Sequence, residues 1–315
     1  MPRLLSILAV LAALALPVQA QDRLSIVATT GMIADAARIV GGDLVEVQVL
    51  MGPGVDPHAY RQTRSDIVAT ARADLVLWHG LYLEAQMEEF LLELAESNTV
   101  IPVAESLPRA LLLGSENYAD RFDPHVWMDP MLWAQAISAV ETILIDRLPD
   151  HAATLQANAA ALAGQAEALQ SYAQEVLGSV PEDTRVLLTA HDAFRYLGRA
   201  YGFEVIGIQG ISTESEAGLQ RIGALVDLLV ERRIAAVFVE SSVSDRNIRA
   251  LIEGAAAQGH TVTIGGELYS DAMGPDGTYE GTWIGMIDHN VTTIARALGG
   301  TAPRAGMQGL LAVVN

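Results

Sequence analysis

Residues 149–177 form a long helical segment that divides the chain into two parts. The segment is rich in alanine, glutamine and leucine, and proline occurs only at its first position. Pro149 with Asp150 is typical of a helix start, and Gly178 is typical of a helix end. At 1.5 Å per residue, about 28 residues make a rod of about 40 Å. Because such a rod can run the full height of two lobes, we expect it to join them rather than to lie on one surface.

The sequence on each side of this helix alternates between strand and helix patterns. Before it, predicted strands and helices follow one another at residues 24–28, 31–40, 45–50, 61–72, 74–78, 83–96 and 100–103. After it, the same alternation covers residues 186–188, 192–201, 205–208, 216–232, 235–239, 245–258, 262–264 and 283–298. Alternating βα units imply a mostly parallel sheet covered by helices. We therefore predict an α/β fold of two lobes, each with a mostly parallel sheet, bridged by one long α-helix.

The first 20 residues have the pattern of an export signal. Arg3 precedes an apolar run of 13 residues, and small residues stand before position 21. A helix needs about 20 apolar residues to span a bilayer, so we favour a cleaved signal peptide over a membrane helix or a buried N-terminal helix. The predicted domains are a signal peptide (1–20), an N-terminal lobe (21–148), the bridging helix (149–178) and a C-terminal lobe (179–315). The mature protein is expected in the periplasm.

Cysteine is absent from the 315 residues. This excludes disulfides, zinc ribbons, iron–sulfur clusters and thiol nucleophiles, and it leaves no N-terminal cysteine for a lipid anchor. The chain carries 38 acidic and 19 basic residues, all of the latter arginine, for a net charge of −19. Such an excess of carboxylates argues against nucleic acid as a partner and suits a cationic ligand.

Two Asp-Pro-His triplets mark candidate metal ligands at His58 and His125. The first lies in a loop with two glycines and two prolines after a predicted strand, and the second precedes a predicted helix. Proline before histidine restrains the backbone, so less order must be imposed when a ligand binds. His191 and Asp271 also follow predicted strands, and ligands bind at the carboxyl ends of parallel strands. In a cleft between the lobes, three imidazoles and a carboxylate would form a site for zinc, manganese or a similar divalent ion.

The remaining four histidines lack such a context. His79 follows a predicted strand and could line the cleft, but nothing in its surroundings marks it as a ligand. His151 belongs to the first turn of the long helix, His260 precedes a strand and His289 lies within the last helix. We interpret these three as structural or surface residues.

Eight short stretches occur in a fixed order along the chain. They are residues 28–33 (ATTGMI), 54–58 (GVDPH), 80–84 (GLYLE), 123–127 (DPHVW), 189–194 (TAHDAF), 211–216 (ISTESE), 239–242 (VESS) and 265–271 (GGELYSD). With them, essentially the whole mature chain resembles the metal-specific solute-binding proteins of ABC transporters, the TroA-like (cluster A-I) zinc and manganese uptake group.

This resemblance implies a fold, a site and a role. The fold would be two α/β lobes bridged by a rigid helix that permits only small movements. The metal ligands would be His58, His125, His191 and Asp271. The metal, zinc or manganese with iron as a further candidate, would pass to a permease in the inner membrane, driven by a cytoplasmic ATPase. We expect a monomer without a lipid anchor.

The resemblance leaves the metal open. Zinc-dedicated members often insert a loop rich in histidine and acidic residues between the first two ligands, whereas residues 104–124 hold no histidine. Many manganese or iron members have glutamate at the position of His191, and imidazole in its place moves a site toward zinc. The TAHDAF stretch is nevertheless similar to manganese as well as zinc members. Four carboxylates are candidates either for accepting hydrogen bonds from the ligand imidazoles or for stabilising only a loop or a lobe: Asp56, Asp123, Glu240 and Glu267.

A secreted zinc-dependent hydrolase is the main alternative function. The chain lacks a His-Glu-x-x-His helix and a Gly-x-Ser-x-Gly turn. Four protein ligands would also close a tetrahedral site, whereas catalytic zinc keeps one position for water. The alternative would need three ligands with Asp271 as a base. A surface adhesin, a role attached to some members of the family, has no support in the sequence either. With both alternatives disfavoured, we expect a transport protein and not an enzyme.

Overall fold

The computed structural model describes residues 23–114 and 121–312. The predicted signal peptide, residues 1–20, lies outside the described residues. Within them, no helix combines the length and the apolar character that crossing a membrane requires. The described chain forms two α/β lobes connected by a long helix, as the alternating pattern predicts.

The first lobe is built on one parallel sheet. Its strands are β1 (Leu24–Thr30), β2 (Val45–Met51), β3 (Leu75–Trp78) and β4 (Val100–Pro102), in the spatial order β2-β1-β3-β4. Its helices are α1 (Gly31–Gly41), α2 (Arg64–Arg72), α3 (Glu88–Leu94) and α4 (Pro130–Arg147). Ile26 pairs with Val47 on one side and with Leu75 on the other. Both faces of the two central strands are buried, as is usual for a parallel sheet between layers of helices.

One long helix, α5 (Ala152–Gly178), connects the lobes after a 3-10 turn at Pro149–His151. Its 27 residues span about 40 Å. It contacts α1 and α4 on one side and helices of the second lobe on the other. Apolar side chains at three- and four-residue spacing form its buried face: Leu155, Ala159, Leu162, Ala166, Leu169, Ala173 and Val176. Because they belong to a hydrophobic cluster that continues into both lobes, the predicted bridge is confirmed.

The second lobe contains four strands in two parallel pairs. β5 (Val186–Thr189) pairs with β6 (Glu204–Gly207), and β7 (Ala236–Glu240) pairs with β8 (Thr263–Leu268). β5 and β7 are neighbours where the two pairs meet. The helices of this lobe are α6 (Arg195–Tyr201), α7 (Leu219–Glu231), α8 (Arg246–Ala257) and α9 (Trp283–Ala297). The predicted parallel direction is confirmed, although the hydrogen-bonded ladder is interrupted between the pairs.

Strand β8 is longer than the sequence pattern indicates. The prediction ends it at Ile264, because Gly265 and Gly266 are typical of a loop, but the strand continues to Leu268. A side chain on Gly266 would place its Cβ 2.4 Å from Cγ2 of Thr293 in α9. The glycines therefore allow α9 to pack closely on the strand, and they do not mark its end.

Four helices besides the bridge begin three or more residues later than the sequence pattern indicates. Their predicted first residues are 61, 83, 192 and 216, and their observed first residues are Arg64, Glu88, Arg195 and Leu219. Before α2, Thr63 and Asp66 form a reciprocal capping box that sets the helix start. Before α3, the backbone N–H of Met87 bonds the carbonyl oxygen of Glu84 three residues back, in a turn, so the regular helix begins only at Glu88. The residues outside these helices form loops at the carboxyl ends of β2, β3, β5 and β6.

Candidate metal centre

The four residues predicted as metal ligands come together between the two lobes. His58 lies in the loop after β2, and His125 lies shortly before α4. His191 follows β5, and Asp271 follows β8. All four are buried, with at most 2% of each residue exposed. One ligand atom from each residue lies within 4.8 Å of the others.

The spacing of these atoms suits a single metal ion. Nε2 of His125 lies 3.3 Å from Nε2 of His58 and 3.3 Å from Nε2 of His191. The two carboxylate oxygens of Asp271 lie 3.3 Å from Nε2 of His125 and 3.2 Å from Nε2 of His191. For metal–nitrogen bonds of about 2.0–2.1 Å, the edge of a tetrahedron measures about 3.3–3.4 Å. The four side chains could therefore hold one ion with little rearrangement.

Two of the imidazoles are held by carboxylates on the side away from the centre. Asp123 accepts hydrogen bonds from Nδ1 (2.7 Å) and from the backbone N–H (3.0 Å) of His125. Glu240 accepts hydrogen bonds from Nδ1 (2.6 Å) and from the backbone N–H (2.9 Å) of His191. These bonds assign a proton to Nδ1, so each ring, when it is neutral, points the lone pair of Nε2 at the shared centre. Lone pairs 3.3 Å apart repel each other, and a cation between them removes that repulsion.

Asp271 is a buried carboxylate whose two oxygens face Nε2 of His125 and of His191. Neither oxygen accepts a hydrogen bond of normal geometry from the described residues. Its loop is nevertheless held firmly, because Trp127 Nε1 donates to the carbonyl oxygen of Ser270 at 2.9 Å, and Asn290 bonds both backbone groups of Tyr269. Buried charges in proteins are normally paired or coordinate a metal. The orientation of Asp271 thus favours a cation at the centre.

Charges around the centre also govern which groups hold protons. Burial lowers the pKa of His58 to about 3. Burial also opposes protonation of His125, but the charges of Asp123 and Asp271 outweigh it and raise its pKa to about 9. In the same way, burial of His191 is outweighed by Asp271 and Glu240, and its pKa rises well above the usual value. The centre therefore favours positive charge, which protons or a metal ion can supply.

His79 supports the second Asp-Pro-His triplet, a role that the sequence pattern did not predict. It is buried, its Nε2 donates to the carbonyl oxygen of Pro124 at 2.7 Å, and its ring stacks on Trp133. Glu84 in turn accepts hydrogen bonds from the backbone N–H of His79 and from Oγ1 of Thr29. The one signal in the sequence was the position of His79 at the carboxyl end of β3.

The other histidines lie outside the centre. His260 and His289 donate to backbone carbonyls, and His151 lies in the turn before α5. Glu267 is exposed, and the bond to His289 uses only its backbone carbonyl. The prediction that Glu267 contacts a ligand imidazole is therefore wrong, because β8 continues through this residue and places its side chain on the exposed face.

Known proteins match this chain over most of its length. Residues 26–297 match the family described as the periplasmic component A of the zinc-uptake complex (ZnuA). The manganese-binding lipoprotein MntA of Bacillus subtilis is 47% identical over 279 residues, which cover 89% of this chain and 91% of MntA. The zinc-binding protein TroA of Treponema pallidum is 44% identical over 273 residues, which cover 87% of this chain and 88% of TroA.

Other comparisons extend this result. The iron-binding protein YfeA of Yersinia pestis is 32% identical over 283 residues, covering 90% of this chain and 89% of YfeA. The solved structure of the periplasmic zinc-binding protein TroA matches with a TM-score of 0.85, covering 88% of this chain and 99% of that one. These matches give no support to a hydrolase, and the word lipoprotein in the name of MntA runs against the expected absence of a lipid anchor. The described fold and these matches agree that the chain belongs to the ZnuA family of periplasmic metal-uptake proteins.

Proposed function

We propose that this protein captures one divalent transition-metal ion outside the cytoplasm and delivers it to the permease of an ABC importer. In this proposal the ion is cargo, and its ligands are His58, His125, His191 and Asp271. Membership of the ZnuA family supports the role in metal uptake.

The arrangement around Nε2 of His125 is the observation that carries this proposal. The Nε2 atoms of two imidazoles and a carboxylate that accepts no hydrogen bond of normal geometry meet at one buried point, with separations of 3.2–3.3 Å. Such an arrangement is unfavourable without a positive charge at its centre. Ligands come from both lobes, so binding also holds the lobes together.

We also propose that residues 21–148 and 179–315 are the two lobes that hold the ion between them, with residues 149–178 as the bridge. Each lobe contributes two of the proposed ligands, which supports this division. The same arrangement means that loss of the ion weakens the contact between the lobes.

Zinc and manganese are the leading candidates for the metal, and iron is the third. The names of the three relatives include all of them, manganese for MntA, zinc for TroA and iron for YfeA. Three imidazoles suit zinc, whereas a carboxylate with both oxygens near the centre suits manganese. At a given site the general order of affinities favours zinc over manganese. We therefore expect the isolated protein to bind zinc more tightly.

Competition calorimetry tests the proposal and the choice of metal together. Metal-free mature protein is titrated with Zn²⁺, Mn²⁺ and Fe²⁺, beside a His191→Glu variant. We expect one ion per chain, tighter binding of zinc, and a shift of the variant toward manganese because carboxylate replaces imidazole. If none of the three ions binds, the proposal is overturned.

An Asp271→Ala variant separates the transport protein from the alternative hydrolase. A transport protein loses metal affinity when one of four ligands is removed, and it has no turnover to lose. A hydrolase using Asp271 as a base keeps its metal and loses turnover. Zinc affinity and hydrolysis of ester and peptide substrates are measured on both proteins.

We further propose that the mature protein is a periplasmic monomer. The family description as periplasmic supports this location. We expect release of the protein with the periplasmic fraction and a mass of one chain by light scattering. Recovery with the cytoplasmic fraction, or a dimer mass, would contradict this.

A further inference from the structure

A loop of the second lobe reaches across the cleft to the first lobe. It comprises residues 210–218, between β6 and α7. Oγ1 of Thr213 donates a hydrogen bond to Oδ2 of Asp56 at 2.5 Å. The next residue, Glu214, accepts a hydrogen bond from the side-chain amide of Gln86. Two adjacent residues of one loop thus make two separate contacts between the lobes.

Only one of these contacts is connected to a metal ligand by a further hydrogen bond. Asp56 belongs to the first Asp-Pro-His triplet, and its Oδ1 accepts the backbone N–H of His58 at 2.9 Å. The carboxylate of Asp56 therefore binds Thr213 with one oxygen and the backbone of His58 with the other. The contact between Gln86 and Glu214 is exposed and involves neither ligand loop.

The two triplets differ in how they use the same aspartate. In the second, Asp123 bonds both the backbone N–H and the Nδ1 of His125. In the first, Asp56 bonds only the backbone N–H, and Nδ1 of His58 has no hydrogen-bond partner among the described residues. The position of His58 consequently depends on its backbone, and the second oxygen of Asp56 is engaged by Thr213 instead.

The loop that carries Thr213 is itself held in place. Gln209, which is buried after β6, donates to the carbonyl oxygens of Thr213 (3.3 Å) and Ser215 (3.1 Å). Ile211 and Ser212 line the same small cavity as His58. A continuous set of contacts therefore runs from the carboxyl end of β6, through Gln209 and Thr213, to Asp56 and His58.

Building on the proposed metal-binding function, we propose that Thr213 is a positioning residue that acts across the cleft. Its hydroxyl holds Asp56, and through Asp56 it holds the backbone of His58 against the ion. Breaking the bond between Thr213 and Asp56 frees the one imidazole that has no carboxylate behind it. The hydroxyl of Thr213 thereby slows the release of metal.

The test measures zinc release from the loaded mature protein into an excess of chelator by stopped flow. Thr213→Val removes the hydroxyl and keeps the shape of the side chain. We expect release to become about 3- to 10-fold faster, as for loss of one net hydrogen bond, with little change in the association rate. Thr213→Ser restores the hydroxyl and should restore slow release.

Gln86→Met is the matched control, because it removes the neighbouring contact between the lobes without touching a ligand loop. If both contacts only hold the lobes together, both variants release zinc equally fast, and the proposal is overturned. An unchanged release rate in Thr213→Val also overturns it. In an Asp56→Ala background, Thr213→Val should have no further effect, and an undiminished effect there would contradict transmission through Asp56.

Unfolding temperatures of the metal-free variants show whether Thr213→Val simply destabilises the fold. If it does, only the zinc release rate of Thr213→Ser is compared with that of the wild type. Failure of this inference is distinct from failure of the proposed function. In the former the wild type binds zinc and releases it at the rate of Thr213→Val, whereas in the latter the wild type binds no metal.

Discussion

At the residue scale, the three imidazoles of the centre differ in what their Nδ1 atoms contact. Those of His125 and His191 donate to buried carboxylates, whereas that of His58 has no partner among the described residues. A carboxylate behind a ring fixes its orientation and makes Nε2 a stronger ligand. His125 and His191 are therefore oriented before metal arrives, and His58 depends on its loop.

The carboxylate behind His191 should contribute directly to metal affinity. Glu240→Gln removes the negative charge that faces Nδ1 of His191, and we expect zinc affinity to fall about 10- to 100-fold. Glu267→Gln is the control, since Glu267 is exposed and its side chain lies away from the ligand rings. Calorimetry should show wild-type affinity for the control. Equal affinities in both variants would show that Glu240 only supports the loop.

Metal binding should release protons. Burial disfavours charge on His125 and His191, but neighbouring carboxylates outweigh it, so the pKa of His125 is about 9 and that of His191 is well above its usual value. In the metal-free site His125 therefore holds an extra proton at about pH 7.5, and its Nε2 must lose that proton to bind metal. Burial keeps His58 neutral, with a pKa of about 3.

We accordingly expect protons to leave as the ion binds, and affinity to fall as the pH drops from about 7.5 to about 5. Calorimetry in buffers of different ionisation enthalpy measures the number of protons. An enthalpy independent of buffer, or an affinity independent of pH, would contradict the prediction.

At the element scale, packing requires glycine in β8 but not in α5. Gly266 makes room for α9, because a Cβ there would lie 2.4 Å from Thr293. Gly164 lies in the middle of α5, and a Cβ added there would meet open space within 4 Å. The first glycine is required by packing, and the second only adds backbone entropy to the unfolded chain.

Alanine at these two positions should therefore change stability in opposite directions. Gly266→Ala should destabilise the metal-free protein by about 1–3 kcal/mol, because the strand and α9 must move apart. Gly164→Ala should stabilise it by about 0.5–1 kcal/mol. Urea unfolding followed by circular dichroism measures both. A Gly266→Ala variant as stable as the wild type would mean that α9 shifts at no cost.

At the scale of the whole molecule, the lobes share one apolar core. The cluster around α5 includes Ile26 of β1, Leu197 of α6 and Ile287 of α9. Polar bonds reinforce this junction, since Asp35 of α1 accepts the backbone N–H of Trp283 at 2.8 Å. A large hinge motion would have to expose this core to water, which is unfavourable.

Metal binding should therefore change the overall shape very little. We expect the radius of gyration from small-angle X-ray scattering to differ by less than about 1 Å between metal-free and zinc-loaded protein. Shortening by several ångströms would instead indicate a hinge closure like that of two independent lobes.

The sequence alone determined the architecture and indicated the four candidate ligands. The features that indicated them are local and depend on backbone preferences that can be recognised in the sequence. They are the alternating strand and helix patterns, the long segment without internal proline, and the two Asp-Pro-His triplets. Parallel strands present their carboxyl ends at one edge, so residues that follow them, such as His191 and Asp271, can be expected at a common site. Helix starts were predicted less well, because the cap at Thr63 and the turn before Glu88 override the apolar periodicity.

The tertiary structure alone decided which distant side chains support the site. Glu240 lies behind His191 although 49 positions separate them, and Thr213 bonds Asp56 across 157 positions. Glu267 is an equally acidic residue beside the site in sequence, yet its side chain is exposed. The first pairing depends on β5 and β7 lying side by side in the second lobe, and the second depends on how α5 and the shared core place the two lobes. No local pattern encodes either placement. Burial makes each pairing energetically important, because a charge removed from water is unfavourable without a partner nearby.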